Sequence, residues 1–146
     1  MSQAFGFDTL MLEPGVYELT KTLEVPAPLN ICAAEPGTVV IKCTSYATTA
    51  LRFLHGGRLA HVDLLSDGPG IVVYAGHLLV EHCTIWCDDD GIEVGHQASG
   101  HVLQSEVRAQ RCAVTLSRGC VERCDLLEFG ACGIEATPQT RGYTDT

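Results

Sequence analysis

The sequence predicts an all-β protein, a right-handed parallel β-helix (solenoid) of about six coils with roughly 21 residues per coil. Two patterns predict it. The first is an apolar-x-apolar triplet at residues 51–53, 71–73, 92–94, 114–116 and 134–136, with spacings of 20, 21, 22 and 20. The second lies between the triplets with an unchanging apolar-x-x-z-x-apolar spacing, and begins at Leu59, Val80, Val102 and Val121.

A repeat of this size is too small to bury its own apolar face and does so by stacking on its neighbours. Short β-branched runs that alternate with period two, bounded by Gly, Asp and Pro, predict strands. The repeat has no helical periodicity, which argues against leucine-rich and ankyrin arrays, and it lacks the aliphatic residue at every sixth position that a left-handed hexapeptide helix needs. Stacking predicts two inward columns: Val62, Cys83, Ser105 and Cys124; and Ile71, Ile92, Val114 and Ile134.

The elements are predicted in chain order as follows. Residues 1–8 form an N-terminal cap or arm in which Phe5 and Phe7 cover the open end of the helix. Strands then follow at residues 8–17, 23–25, 29–31 and 39–42, with turns at Pro14-Gly15 and residues 35–37. The regular array occupies residues 51–136, with turns at 66–70, 87–91 and 95–100. We expect one domain over residues 1–136 and a polar C-terminal tail over residues 137–146.

The opening coils carry a family resemblance. The run DTLMLEPGVYELTKTLEVPAPLNICAAEPGTVVI, at residues 8–41, resembles the entry of the pectate-lyase-like β-helix superfamily. It is most similar to the β-helix segments of F-box substrate receptors and of Shc-binding, spindle-associated proteins. The resemblance extends to about Ala136 and implies the fold strongly, whereas one fold hosts many functions.

Composition limits the classes of partner. The chain has 146 residues, of which 46% are hydrophobic, enough for one domain with a core. A formal net charge of −9 argues against nucleic-acid and anionic-membrane surfaces, which need clustered Lys and Arg. No apolar run approaches the ~18 residues of a membrane span, and no secretory signal pattern is visible. We therefore expect a cytoplasmic or otherwise intracellular protein.

Eight cysteines raise the alternatives of a disulfide framework or a zinc site. Several occupy equivalent positions in the repeat, such as Cys83 and Cys124, which predicts small buried packing residues in a reducing environment. The pairs Cys83-x3-Cys87 and Cys120-x3-Cys124 loosely resemble zinc ligands. Residues four apart on a strand nevertheless lie too far apart to share one tetrahedral ion unless a turn intervenes.

The run Asp88-Asp89-Asp90 is the candidate metal site, for calcium if for any ion. Carbohydrate-cleaving members of the superfamily hold calcium between carboxylates, and calcium takes six to eight oxygen ligands. The equivalent turns offer only Asp67 on one side and Gln110 with Arg111 on the other. A solvated turn, whose conformation Asp favours, is the alternative. No other cofactor is predicted.

Two further groups are candidate binding residues. One is an outward polar column of His61, His82, Gln104 and Arg123, beside a second column of Asp63, Thr84, Glu106 and Asp125; His61 over His82 suits a metal or a phosphate, and a plain surface is the alternative. The other is Trp86, the only tryptophan, in a column with Leu65, Arg108 and Leu127. If that column faces outward, it forms an apolar and cationic patch typical of an interface; otherwise Trp86 packs beneath the 88–90 turn.

Two functions follow as expectations. The first is a non-catalytic protein-interaction module on a rigid β-helix, binding a protein partner or a second copy through the C-terminal coil, which lacks an apolar lid. The second is a carbohydrate-active or carbohydrate-binding β-helix for acidic polysaccharide: a lyase, hydrolase or epimerase, possibly degenerate. No catalytic residue is assigned, because neither a Ser/His/Asp order nor a phosphate loop is present. Only 6% of the residues are aromatic, which favours the first expectation.

Overall fold

A computed structural model describes residues 8–45, 48–116, 118–128, 132–136 and 143–145; for residues 127, 128, 132–136 and 143–145 the backbone alone is described. These residues form sixteen strands: β1 Thr9–Leu12, β2 Gly15–Leu19, β3 Leu23–Val25, β4 Leu29–Ala33, β5 Val39–Cys43, β6 Leu51–Phe53, β7 Gly56–Ala60, β8 Asp63–Ser66, β9 Ile71–Glu81, β10 Thr84–Cys87, β11 Ile92–Leu103, β12 Glu106–Ala109, β13 Cys112–Leu116, β14 Gly119–Glu128, β15 Cys132–Ala136 and β16 Tyr143–Asp145. No helix long and apolar enough to span a membrane occurs in this described part.

The strands stack as a parallel β-solenoid, which confirms the predicted fold class. The chain rises by about five turns spaced roughly 22 residues apart. In the regular array each coil supplies three strands: a triplet strand such as residues 71–73, a middle strand such as residues 78–81, and an exit strand such as β10. Triplet and middle strands form face A, and exit strands form face B.

The strand register follows the sequence repeat. Within face A, Ile92 pairs with Ile71 on one side and with Val114 on the other, and Leu51 pairs with Ile71. Within face B, Trp86 pairs with Leu65 and with Arg108. The 20-, 21- and 22-residue spacings of the sequence are therefore the numbers of residues in successive coils.

The core is built from the columns that the repeat predicts to point inward. Ile71, Ile92 and Val114 are essentially fully buried, as are Val62, Cys83, Ser105 and Cys124 at the second column. Ile134 belongs to the first column by its backbone pairing with Val114, and its side chain lies outside the described part. Because each face contributes alternate residues to one narrow interior, the coils share a continuous hydrophobic core.

Coil length varies at one corner, between the triplet strand and the middle strand of face A. In three successive coils this variable corner comprises residues 54–56, 74–77 and 95–99, so it lengthens by one residue per coil, in step with the triplet spacing. Gly76 lies there with φ of 80°, and a Cβ on it would approach the His55 carbonyl oxygen to 2.2 Å. The backbones of neighbouring coils thus touch at this corner.

The two ends of the chain are described only in part. The predicted cap, with Phe5 and Phe7, lies outside the described residues, and so does most of the tail. Tyr143–Asp145 nevertheless forms β16, which pairs with β14 and continues the parallel ladder.

Seven cysteines are described and all are free thiols; five are buried, whereas Cys32 and Cys120 are half-buried. Cys32 and Cys120 therefore depart from the expectation of buried packing residues; Cys120 lies on an outward position of β14.

Candidate functional site

A sharp corner joins the middle strand to the exit strand in four successive coils. The residues at this fixed corner are the four of the described chain that have positive φ without being glycine: His61, His82, Gln104 and Arg123, at 60°, 53°, 48° and 54°. The left-handed conformation costs an ordinary residue roughly 1–2 kcal/mol. Its recurrence in four successive coils means that the polar column predicted from the sequence is first of all a requirement of the backbone path.

In three of these four coils the side chain of the residue after the corner position closes the turn from inside, whereas Val62 in the other coil has no hydrogen-bonding group. The hydroxyl of Ser105 donates to the Leu103 carbonyl at 2.9 Å, and it accepts the Cys83 backbone N–H at 3.1 Å. The thiols of Cys83 and Cys124 donate to the carbonyls two residues before them at 3.3 and 3.1 Å. Burial raises the pKa of the Cys83 thiol to about 12, so it stays protonated and able to donate. A small side chain with a hydrogen to donate thus caps the corner in these three coils.

The corner opens on face B into a groove of about 500 Å³. Its lining combines both polar columns named from the sequence: His82, Thr84, Gln104, Glu106, Arg123 and Asp125, with Cys83 and Ser105 at the base. His61 lies outside the lining but stacks on His82, with ring centroids 4.9 Å apart and planes 1° from parallel. The structure therefore brings the predicted column together as one polar wall.

Two groups at this wall have shifted pKa values. Partial burial lowers the pKa of His61, and the nearby His82 and Arg58 lower it further, against the opposing effect of Glu81. Partial burial and the Glu106 carboxylate raise the pKa of Asp63. Both shifts disfavour the charged form, which is the result expected of partly buried groups that also have like charges nearby.

Trp86 faces outward on face B, with 42% of its surface exposed. Its indole N–H donates to the Glu106 carboxylate at 2.7 Å. The Arg108 guanidinium lies over its ring at 4.4 Å from the centroid, within the range of a cation–π contact. We call these three residues the Trp86 patch. The structure thus resolves the alternative left by the sequence in favour of an outward column, whose Leu127 side chain is outside the described part.

A second depression, of about 210 Å³, adjoins the Trp86 patch. It is lined by Leu65, Ser66, Asp67, Trp86, Cys87, Asp88, Arg108 and Gln110. Leu65 and Trp86 give it an apolar wall, and the exposed Asp67 and Asp88 give it an acidic edge. Aromatic, apolar and charged groups therefore meet on one parallel sheet.

The carboxylates of Asp89 and Asp90 accept backbone N–H groups of their own turn and of the next coil, and Asp88 is exposed. Asp89 accepts the Asp90 backbone N–H at 2.9 Å, and Asp90 accepts the Cys112 backbone N–H at 3.1 Å. The Arg111 guanidinium lies 3.7 and 3.9 Å from the Asp89 and Asp90 oxygens. Their ligand atoms do not converge as a cluster of three within 4.8 Å, so the oxygen-rich shell that calcium requires is not assembled by these residues.

Sequence reasoning missed two outward clusters on face A. Arg58 donates to Glu81 at 2.5 Å and to Asn30 at 2.9 Å, and this ion pair is mostly shielded from solvent. His101, Cys120 and Glu122 form the other cluster, with one ligand atom from each lying within 4.8 Å of the others. Aligning the coils would have revealed both, because Arg58, Leu79, His101 and Cys120 fall in one row of the register.

Comparison with protein-family models, curated proteins and solved structures finds no match to this chain. The fold and the side-chain geometry therefore carry the functional argument.

Proposed function

We propose that the protein is a non-catalytic interaction module that binds a protein partner through the Trp86 patch on face B. The observation that carries the proposal is the exposed Trp86 ring, held between Glu106 and Arg108. Trp and Arg are enriched among the residues that dominate binding energy at protein interfaces. Because both are already fixed by contacts within the sheet, little side-chain entropy is lost on binding.

The surroundings of the patch indicate the chemistry of the partner. The apolar wall of Leu65 and Trp86 fits an apolar side chain, and the acidic edge of Asp67 and Asp88 fits a Lys or Arg next to it. The partner is accordingly a protein segment in which an apolar anchor is adjacent to a basic residue. The net charge of −9 favours approach of such a segment. The resemblance of residues 8–41 to non-lyase β-helix segments supports the same class of function.

A carbohydrate-binding role is the second candidate, and the polar groove beside Trp86 favours it. His82, Gln104 and Arg123 offer donors to hydroxyl and carboxylate groups of an acidic sugar. Sugar rings stack on exposed aromatic faces, however, and the Arg108 guanidinium already covers one face of Trp86. This contact favours a protein partner over a sugar.

Unbiased selection of peptides tests the proposal. Random peptides displayed on phage are selected on the whole protein, and the affinities of the winning peptides are measured by fluorescence polarisation. We expect convergence on an apolar residue beside Lys or Arg, a change in Trp86 emission on binding, and at least about tenfold weaker binding to Trp86→Ala, equivalent to ~1.4 kcal/mol.

Tyr74→Ala is the matched control, because Tyr74 is a similarly exposed aromatic that lies on face A with Arg52 at 5.9 Å. It should leave the affinity of the selected peptides unchanged. Peptides that bind equally well to Trp86→Ala, or that lose affinity with Tyr74→Ala instead, would contradict the proposal. Oligogalacturonate with and without calcium is the probe for the second candidate: a rise in melting temperature that Arg123→Ala removes would favour sugar binding.

A further inference from the structure

The cluster of His101, Cys120 and Glu122 lies on face A, away from the Trp86 patch. His101 and Cys120 are directly paired across the neighbouring strands β11 and β14. Glu122 follows Cys120 by two residues and so points to the same side of the sheet. One nitrogen, one sulfur and one oxygen ligand are thereby presented by two adjacent coils, and all three residues are half-buried.

The spacing of the ligand atoms is informative. His101 Nε2 lies 3.4 Å from Glu122 Oε2, which is longer than an ordinary N–H···O hydrogen bond. Two atoms bound to one zinc ion at ~2.0–2.1 Å in tetrahedral geometry lie about 3.3–3.4 Å apart. Nε2 is also shielded from solvent and makes no hydrogen bond with any residue that the structure describes. The pair therefore has the separation of two zinc ligands. Its contact is an ion pair only when His101 is protonated, and it leaves the buried nitrogen without a hydrogen bond.

We propose that His101, Cys120 and Glu122 bind a divalent transition-metal ion, zinc in the first place. Imidazole, thiolate and carboxylate are the three ligand types that zinc takes in proteins, and the sulfur disfavours calcium and magnesium. Three protein ligands leave the fourth tetrahedral position for water or for a donor from another molecule. The site is independent of the proposed interaction surface, since none of its residues lines either depression on face B.

Binding requires one proton to leave. The Cys120 thiol gives its proton to solvent as the sulfur becomes a thiolate ligand, His101 binds through the Nε2 lone pair with its proton on Nδ1, and Glu122 binds as the carboxylate. In the absence of metal, partial burial and the Glu122 carboxylate raise the pKa of Cys120. A bound cation reverses that preference because its charge stabilises the thiolate.

Titration of the whole protein with Co²⁺, followed by Zn²⁺, tests the proposal. We expect one equivalent of Co²⁺ to produce a thiolate-to-cobalt charge-transfer band with tetrahedral d–d bands, which Zn²⁺ then removes. Imidazole should shift the d–d bands, because it occupies the open fourth position. The absence of a band at one equivalent would overturn the proposal.

Matched variants locate the ion. Cys120→Ser should abolish the band, and His101→Gln and Glu122→Gln should each weaken Co²⁺ binding at least about tenfold. Cys32→Ser is the control, because Cys32 is the other half-buried thiol of the described chain and is paired with Met11 and Ala60, neither a His nor a carboxylate. A band that survives Cys120→Ser, or that Cys32→Ser removes, would place the ion elsewhere. If Cys120→Ser lowers the melting temperature by more than a few degrees, the loss of the band could reflect unfolding. The His101→Gln and Glu122→Gln variants then test the site, and unchanged Co²⁺ affinity in both would overturn the proposal.

Discussion

The fixed corner and the variable corner of the solenoid both turn the chain from one strand of a coil to the next, but they do so with different backbone conformations. At the fixed corner the chain turns through one left-handed residue and one inward residue in four coils, without a change of length. At the variable corner the turn lengthens from residues 54–56 to 95–99, with glycines at 56 and 76 where coils touch. The fixed corner sets which side chains point inward on face B, whereas the variable corner absorbs differences in coil length.

This difference indicates how to interpret the polar residues at each place. His61, His82, Gln104 and Arg123 recur because the backbone needs a left-handed position there, and His is among the residues enriched in that conformation. Their alignment is therefore weak evidence for a ligand by itself. Trp86 and the His101 cluster lie on strand positions where any side chain would fit, so their contacts are stronger evidence for function.

Insertion of one residue should give the largest difference in stability between the two corners. A glycine inserted after Gln104 shifts Val107 and the rest of β12 to the opposite side of the sheet, so we expect the last coils to unfold. A glycine inserted between Tyr74 and Ala75 gives that corner the length of the next one, and we expect a loss of about 1 kcal/mol or less. Urea unfolding measures both. Equal losses would mean that coil length is fixed at both corners.

Substitution inside the ladder should have the next largest effect. Ile92 is fully buried between Ile71 and Val114, so Ile92→Asp places a carboxylate without a partner in the core and should cost several kcal/mol. Glu93→Lys at the adjacent exposed position should change the free energy of unfolding by less than about 0.5 kcal/mol. Similar losses at the two positions would contradict the inward and outward assignment.

The sequence predicted the ladder well and the side-chain clusters poorly, for a physical reason. Hydrophobic periodicity reports which residues point inward, and it places Ile71, Ile92 and Val114 in the register that the structure shows. The left-handed fixed corner has no glycine to mark it, so the sequence showed the polar column without showing its cause. The contact of Trp86 with Arg108, and that of His101 with Cys120, join residues about one coil apart and depend on the register of the strands.

Substitution at the left-handed residue of the fixed corner should have the next largest effect on stability, because the backbone there is strained. Gln104 has φ of 48°, a conformation in which a β-branched side chain is a genuine outlier. Gln104→Ile should therefore lower the free energy of unfolding by about 1–2 kcal/mol, whereas Gln104→Gly should leave it unchanged or raise it slightly. Glu93→Ile is the control, since Ile is favoured on an exposed strand. Urea unfolding would contradict the assignment if Gln104→Gly were the more damaging of the two changes.

The smallest expected effect is a pH dependence at the fixed corner. Because the folded state lowers the pKa of His61 from 6.5, the unfolded chain binds more protons as pH falls through that value, and stability is lost on acidification. His61→Gln introduces the side chain that Gln104 has at the equivalent position and removes the titrating group. The free energy of unfolding of this variant should therefore fall less steeply than that of the wild type between about pH 7 and pH 5. His55→Gln, at the variable corner, is the matched control for removing a histidine. Urea unfolding at several pH values measures the slopes, and identical slopes for the wild type and His61→Gln would show that the stacked corner histidines do not couple protonation to folding.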